Sequence, residues 1–345
     1  MQIISGTTEF ECKHHTAVAI GKFDGIHQGH RMLLSQILKA KEDGLQSAVF
    51  TFDPPPGVFF SGKPQAELTT KEEKRRVFDR MGIDLLIEFP MNAETAAMPP
   101  ETFVREVLHD RLQTRFIAAG TDLSYGDRGK GDWHLLQAMS EQMGYQVQVI
   151  DKIMYNGREI SSTFVREEVQ KGNMELAERL LGAPYCVAGN VMHGKRLGRT
   201  LGMPTVNLFP PRDKLLPPNG VYLSRLSAGN RQLNGITNIG CRPTVSNSGQ
   251  MSVETYLYDF NEEIYGEYVE VSLYSFCRPE MKFSSVEELK QNMARDIEAV
   301  SYTHLDVYKR QSLRIPGNTP ERKPMRKLLL KKPSTRTWMK LRRKN

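Results

Sequence analysis

"AVAIGKFDGIHQGHRMLL", residues 17–34, sets a run of small and branched apolar residues ahead of a glycine-bearing turn, and two histidines follow the turn. The apolar run predicts a buried strand over 17–21, and the spacing of Leu33, Leu34 and Ile37 predicts an amphipathic helix over 28–41. The helix N-terminus carries unsatisfied N–H groups and partial positive charge, which attract phosphate. Gly25 and Gly29 allow close backbone approach to a ligand, and His27 and His30, three residues apart, share one helical face. Together they are suited to holding a triphosphate and to steadying charge on its α-phosphorus during in-line attack. Taken alone, the two histidines also fit a zinc half-site or a packed core, although the HExxH spacing is missing and no third ligand stands nearby.

Outward from this stretch, strands at 47–52, 83–89, 115–120 and 145–150 alternate with helices at 70–82, 100–112 and 131–144. Helices at 162–171 and 174–182 then close the unit. Such alternation predicts an α/β fold, a Rossmann-like doubly wound parallel sheet over 1–183. After Ala183-Pro184 the pattern becomes short strands separated by Gly, Pro and Asn. These predict a small antiparallel β-barrel over 184–300, with a helix at 285–300.

The 345 residues suffice for two cores. The net charge of +7 is local: residues 301–345 hold 14 Lys or Arg against two acids, leaving 33 basic and 38 acidic side chains elsewhere. That basic, proline-interrupted tail has the composition of disorder. Its segment "SYTHLDVYKRQ" resembles a translated adapter peptide, so 301–345 is expected to be non-native. Four cysteines with no CxxC spacing, no signal peptide and no membrane-length apolar run predict a soluble cytoplasmic protein. Neither a nucleic-acid nor a membrane partner is expected, and oligomeric state is not readable.

Residues 21–30, Gly-Lys-Phe-Asp-Gly-Ile-His-Gln-Gly-His, resemble the HxGH signature of the nucleotidyltransferase superfamily. In its fuller GxFDGxHxGH form the stretch resembles the bacterial bifunctional riboflavin kinase/FMN adenylyltransferases, or FAD synthetases. "TFDPPP" (51–56), "AGTDLSYGDRGKG" (119–131) and "ISSTFVRE" (160–167) resemble further motifs of that family in order. The resemblance implies catalysis by His27, His30 and Arg166. It also implies nucleotide or flavin binding by Gly21, Phe23, Asp24, Gly25, Gly29, Asp122, Ser162 and Thr163. Ser162, Thr163 and Arg166 would grip the ATP phosphates as pyrophosphate forms; read singly, the Ser-Ser-Thr run is also a good helix cap. Leu123 and Tyr125 stand where the family usually shows phenylalanine, and Pro55 where many members carry histidine.

"GNVMHGKRLGRTLGMPTVNL" (189–208) is a glycine-punctuated loop with no GK[ST] closing it. Thr205 and Asn207, two apart on a strand, offer hard oxygen ligands suited to magnesium. The stretch resembles the GxxxGxxxGxPTAN loop of riboflavin kinase, and the likeness continues through "NGVY" (219–222), "NIGCRPTV" (238–245), "VETYLYDFNEEIYG" (253–266) and "FCRPEMKF" (276–283). It implies Glu254 as general base on the riboflavin 5′-hydroxyl, and Gly194, Gly198, Gly202, Pro204, Thr205, Asn207, Arg278 and Glu280 around nucleotide and flavin. The implied cofactors and substrates are Mg²⁺, ATP and riboflavin, FMN and FAD. Two other readings stand beside this one: another HxGH-type cofactor adenylyltransferase, and a nucleic-acid-binding protein using the basic tail.

Overall fold

The computed structural model describes residues 1–193, 205–242, 250–258, 260, 262–281, 288, 291, 292 and 295. Met1–Glu298 is one compact unit. Gly194, Gly198, Gly202, Pro204, most of the helix expected at 285–300 and the whole tail lie outside the described residues.

Six strands, β1 (Gln2–Ser5), β2 (Thr16–Ile20), β3 (Gln46–Asp53), β4 (Leu85–Pro90), β5 (Thr114–Gly120) and β6 (Gln146–Ile150), form one sheet in the order β1-β4-β3-β2-β5-β6. Every pairing is parallel. In β2 all five residues are buried, as a strand covered on both faces requires. Ala17 and Ala19 face one apolar cluster with Leu34 and Ile37, while Val18 and Ile20 face another with Phe103 and Leu108. The period-two alternation of a strand thus feeds two cores from one run of residues.

The helices are α1 (Gln28–Lys39), α2 (Pro56–Ser61), α3 (Lys71–Arg80), α4 (Ala93–Ala96), α5 (Pro100–Thr102), α6 (Trp133–Met143), α7 (Ser162–Gln170) and α8 (Met174–Leu181). Polar side chains define the starts of several: Thr70 and Glu73 form a capping box on α3, Asp132 caps α6, Ser161 caps α7 and Asn173 caps α8. Four features differ from the sequence reading. The edge strand β1 pairs with β4 although its residues are mostly exposed. Helix α2 forms where the sequence reading placed no element. The helix expected over 100–112 continues past α5 with π-type spacing over Phe103–Arg111. Finally, β7 (Met154–Tyr155) and β8 (Arg158–Glu159) add a short hairpin. A two-to-four-residue strand carries too little periodicity to be read without its partner.

The second sheet is antiparallel, in the order β10-β13-β12-β11-β14-β9: β9 (Tyr185–Asn190), β10 (Thr205–Leu208), β11 (Gly220–Ala228), β12 (Arg231–Arg242), β13 (Gln250–Leu257) and β14 (Tyr268–Arg278). It curls until Met192, just past β9, bridges to Asn207 on β10. Its concave core, with Val206, Tyr222, Ile239, Val253 and Val271, is continuous with Val165 and Val169 of α7 and Leu180 of α8.

Candidate active sites

The parallel sheet changes direction at β2, between β3 and β5, and an α/β sheet opens its binding crevice at the carboxyl ends of such strands. A cavity of about 540 Å³ lies there, lined by Ile20 at the end of β2, Gly21 just after it, Phe52 on β3, Gly120 on β5 and Ile150 on β6. It brings together Gly21, Asp24, His27, Gly29, His30, Asp122, Ser162, Thr163 and Arg166, which span about 140 residues of sequence.

His27 is the N-cap residue of α1, in extended conformation, and its side chain makes no capping bond. Its ring stacks on that of His30, with centroids 3.8 Å apart. A Cβ at Gly29 would lie 3.2 Å from the His27 ring, so glycine there makes room for the imidazole as well as for a ligand. Gly25 is turned to φ +81° and does not line the cavity; a side chain on it would meet Leu68 at 2.8 Å. Burial lowers the pKa of His27 to about 4, against smaller opposing effects of Asp122, Asp24 and Glu159. Burial, with His27 and Lys74 nearby, holds His30 well below its ordinary value. Both rings are therefore neutral at neutral pH, and neither Nδ1 has a hydrogen-bond partner among the described residues. Phe23 does not reach the cavity. It is fully buried, and its ring lies 5.1 Å from His30 and edge-on to Phe78, where it supports the histidine.

Asp24 and Arg166 are tied to each other. Asp24 Oδ2 accepts from Arg166 at 2.5 Å, and Oδ1 accepts the N–H groups of Leu68 and Thr69 at 2.8 and 3.2 Å. Arg166 also donates to the carbonyl of Ala66. Ser162 Oγ donates to the Asp24 carbonyl at 2.9 Å, which pins the start of α7 to the turn before α1. Asp122 is two-thirds exposed and lies 3.8 Å from Lys152, which pairs with Glu159 at 2.8 Å.

On the barrel, Asn207 lies directly opposite Glu254, and Glu254 directly opposite Asn238. This row across three strands is on the sheet face opposite the apolar core, since Val206, Leu208, Val253 and Ile239 alternate into that core. Asn207 Nδ2 donates to the Thr205 carbonyl at 3.0 Å and lies 3.4 Å from its hydroxyl, so the two residues share this face. Glu280 joins the row from past β14, accepting from Asn238 and Asn219 at 3.3 Å each. Arg278 sits on β14 opposite Val221, and its guanidinium reaches the Pro279 carbonyl at 3.2 Å.

Comparison with known proteins bears on both sites. A family model described as FAD synthetase matches residues 9–164, and one described as riboflavin kinase matches residues 181–303. The bifunctional riboflavin kinase/FMN adenylyltransferase of Listeria monocytogenes is 36% identical over 84% of this chain and 93% of its own. The protein of that description from Escherichia coli strain K12 is 37% identical over 81% and 90%. The chain belongs to the bifunctional riboflavin kinase/FMN adenylyltransferase family. As a member, it phosphorylates riboflavin to FMN and adenylylates FMN to FAD, with riboflavin, FMN and ATP as its small-molecule substrates.

A crystal structure titled macrolide-efflux protein from Streptococcus pneumoniae has the same fold. Its TM-score is 0.75 at 27% identity, covering 87% of this chain and 98% of that one. No helix among the described residues here is long and apolar enough to cross a membrane.

Several residues at the cavity escaped the sequence reading: Lys22, Glu67, Lys74, Lys152 and Glu159 all line it. Of the three lysines lining the cavity Lys74 is the most enclosed, 12% exposed and 3.7 Å from Glu67. It sits on α3 within "KEEKRR", a run of charges that by itself reads as a solvated face. Lys22, inside the GKFDG motif, was the one within sequence reach. Of the three departures from the family pattern, Pro55 and Leu123 line the cavity. Tyr125 does not; it is buried against Phe103, with centroids 5.3 Å apart.

Proposed function

We propose that adenylyl transfer takes place in the cavity at the head of α1, with the stacked His27–His30 pair facing the α-phosphate of ATP. The observation that carries this reading is the pair's position at an uncapped helix N-terminus on the sheet's switch point, in one cavity with Ser162, Thr163 and Arg166. A phosphate oxygen of FMN attacks the α-phosphorus, the bond to the β-phosphate oxygen breaks, and pyrophosphate leaves. Neutral imidazoles donate N–H bonds to the oxygens on which charge grows, and the free N–H groups of α1 add their partial charge. Ser162 and Thr163 bind the leaving phosphates. Arg166, braced by Asp24, holds the loop in register and presents its guanidinium edge to the same phosphates. Asp122, an exposed acid lining the cavity, orients nucleotide or flavin.

On the barrel we assign the proton transfer to Glu254. Its carboxylate takes the proton of the riboflavin 5′-hydroxyl as that oxygen attacks the γ-phosphorus of ATP and ADP leaves. Thr205 and Asn207, a hydroxyl and an amide next to the Glu254 carboxylate, are the hard-oxygen set that magnesium takes; bound there, it would screen triphosphate charge. Arg278 and Glu280 would bound the flavin end of that site. No disulfide joins any of the four cysteines, which suits a reducing, cytoplasmic setting.

Incubating the purified chain with riboflavin, ATP and magnesium and separating the flavins tests the division of labour. The parent should yield FMN and then FAD. His30→Ala should stop at FMN, with FAD formation down by at least about 100-fold. A folded His30→Ala protein that still makes FAD at the parent rate would refute the assignment.

A further inference from the structure

Residues 66–70 run between the two sheets as a strap, and their backbone groups bond alternately to one side and the other. The Ala66 carbonyl accepts from Arg166 at the ATP cavity. Glu67 turns to the barrel side: its N–H donates to the Asp213 carbonyl, and its carbonyl accepts from Leu215 N–H at 2.8 Å. The N–H groups of Leu68 and Thr69 return to Asp24. The Leu68 carbonyl then accepts from Lys214 Nζ at 2.8 Å.

Lys214 stands between β10 and β11, yet only 5% of it is exposed. Its ammonium also donates to Glu73 Oε2 at 2.7 Å and lies 4.7 Å from the centre of the Tyr185 ring. Glu73 is the capping-box residue of α3: Oε2 also accepts from Thr70 N–H at 2.9 Å, and Oε1 accepts from Ala188 N–H on β9 at 3.0 Å. One buried cation therefore holds the strap's central carbonyl and the carboxylate that fixes the strap's end. The strap in turn supplies two N–H groups to Asp24, which holds Arg166 and lies three residues before His27.

We propose that Lys214, contributed from the barrel side of the seam, is a positioning residue for adenylyl transfer, fixing the 66–70 strap and through it Asp24 and Arg166. The proposal rests on the reading of the cavity as the adenylyl-transfer site. Its consequence is that FAD formation depends on a residue far in sequence from every motif at that site, while riboflavin phosphorylation, whose Asn207–Glu254–Asn238 row excludes Lys214, does not.

The test compares both activities in the full chain for Lys214→Met, Lys214→Arg and the double variant Glu73→Gln/Lys214→Met. The double variant leaves no unpaired charge in the seam and covers the case in which the single variant fails to fold. Lys214→Met and the double variant should lower kcat for FMN adenylylation at least about tenfold and raise KM for ATP, because small misplacement of a charged clamp is costly to rate. Riboflavin phosphorylation should stay within about twofold, and Lys214→Arg should recover part of the adenylylation. Adenylylation within about twofold of the parent in either folded methionine variant overturns the proposal. So does an equal fall of both activities in both methionine variants, which marks a merely structural role. His30→Ala, run in parallel, separates the two ideas: if it makes FAD normally, the reading of the site has failed. If it does not, while the Lys214 variants do, only the strap inference has failed.

Discussion

The burial of His27 makes the stability of the fold depend on pH in a calculable way. The ring is 8% exposed, and its pKa falls from 6.5 to about 4 because burial penalises the charged form. The unfolded chain accepts a proton near pH 6.5 that the folded chain refuses until near pH 4. Stability is therefore full above the unfolded value and is lost as pH falls through the window between the two. At pH 5 the two values give a loss of about 2 kcal/mol from this residue alone. His30, displaced in the same direction and stacked on His27, adds a contribution of the same sign. Replacing His27 by Asn removes one titrating group from the cavity. Urea unfolding followed by far-UV circular dichroism at pH 7 and pH 5 should then show the variant losing about 2 kcal/mol less than the parent between the two conditions. Equal losses, within about 0.5 kcal/mol, would refute the reasoning and mean that the ring is protonated as readily in the folded chain as outside it.

Two further outcomes are expected. Glu254→Gln keeps the shape of the barrel row but cannot take a proton, so riboflavin phosphorylation should fall at least about 100-fold while supplied FMN is still converted to FAD; equal retention of both activities would remove Glu254 as base. Gly126 is held at φ +71°, and a Cβ there would lie 2.7 Å from the backbone Cα of Pro100, so Gly126→Ala should cost more than about 1 kcal/mol and lower the melting temperature by several degrees, as calorimetry would show.

The strand–turn–helix at the opening motif was readable because its causes are local. An apolar run, a turn that needs glycine and a 3.6-residue period are properties of neighbours along the chain. The same holds for the Ser-Ser-Thr run that caps α7. The edge strand β1 was not readable, because only its pairing with β4, some 80 residues away, makes four mostly exposed residues a strand. Phe23 shows the limit within a motif: its place in the pattern suggested ligand contact, whereas packing turns its ring inward beneath His30. Arg166 likewise reads as a free phosphate clamp and is found committed to Asp24 and Ala66.

The amino-acid sequence by itself determined the two fold classes, because periodicity and turn residues are local; spacing and residue chemistry alone carried only nucleotidyl transfer and a phosphate-binding barrel, and the pair of flavin reactions came from the resemblance of the ordered motifs to a family. Only the tertiary structure decided which charges share a space. Lys74 and Lys214 sit in charge-bearing segments that look solvated, and one enters the cavity while the other is sealed at the seam. Burial of a cation is set by partners that folding brings from distant parts of the chain, Glu67 for Lys74 and Glu73 and Leu68 for Lys214, and no local pattern encodes them.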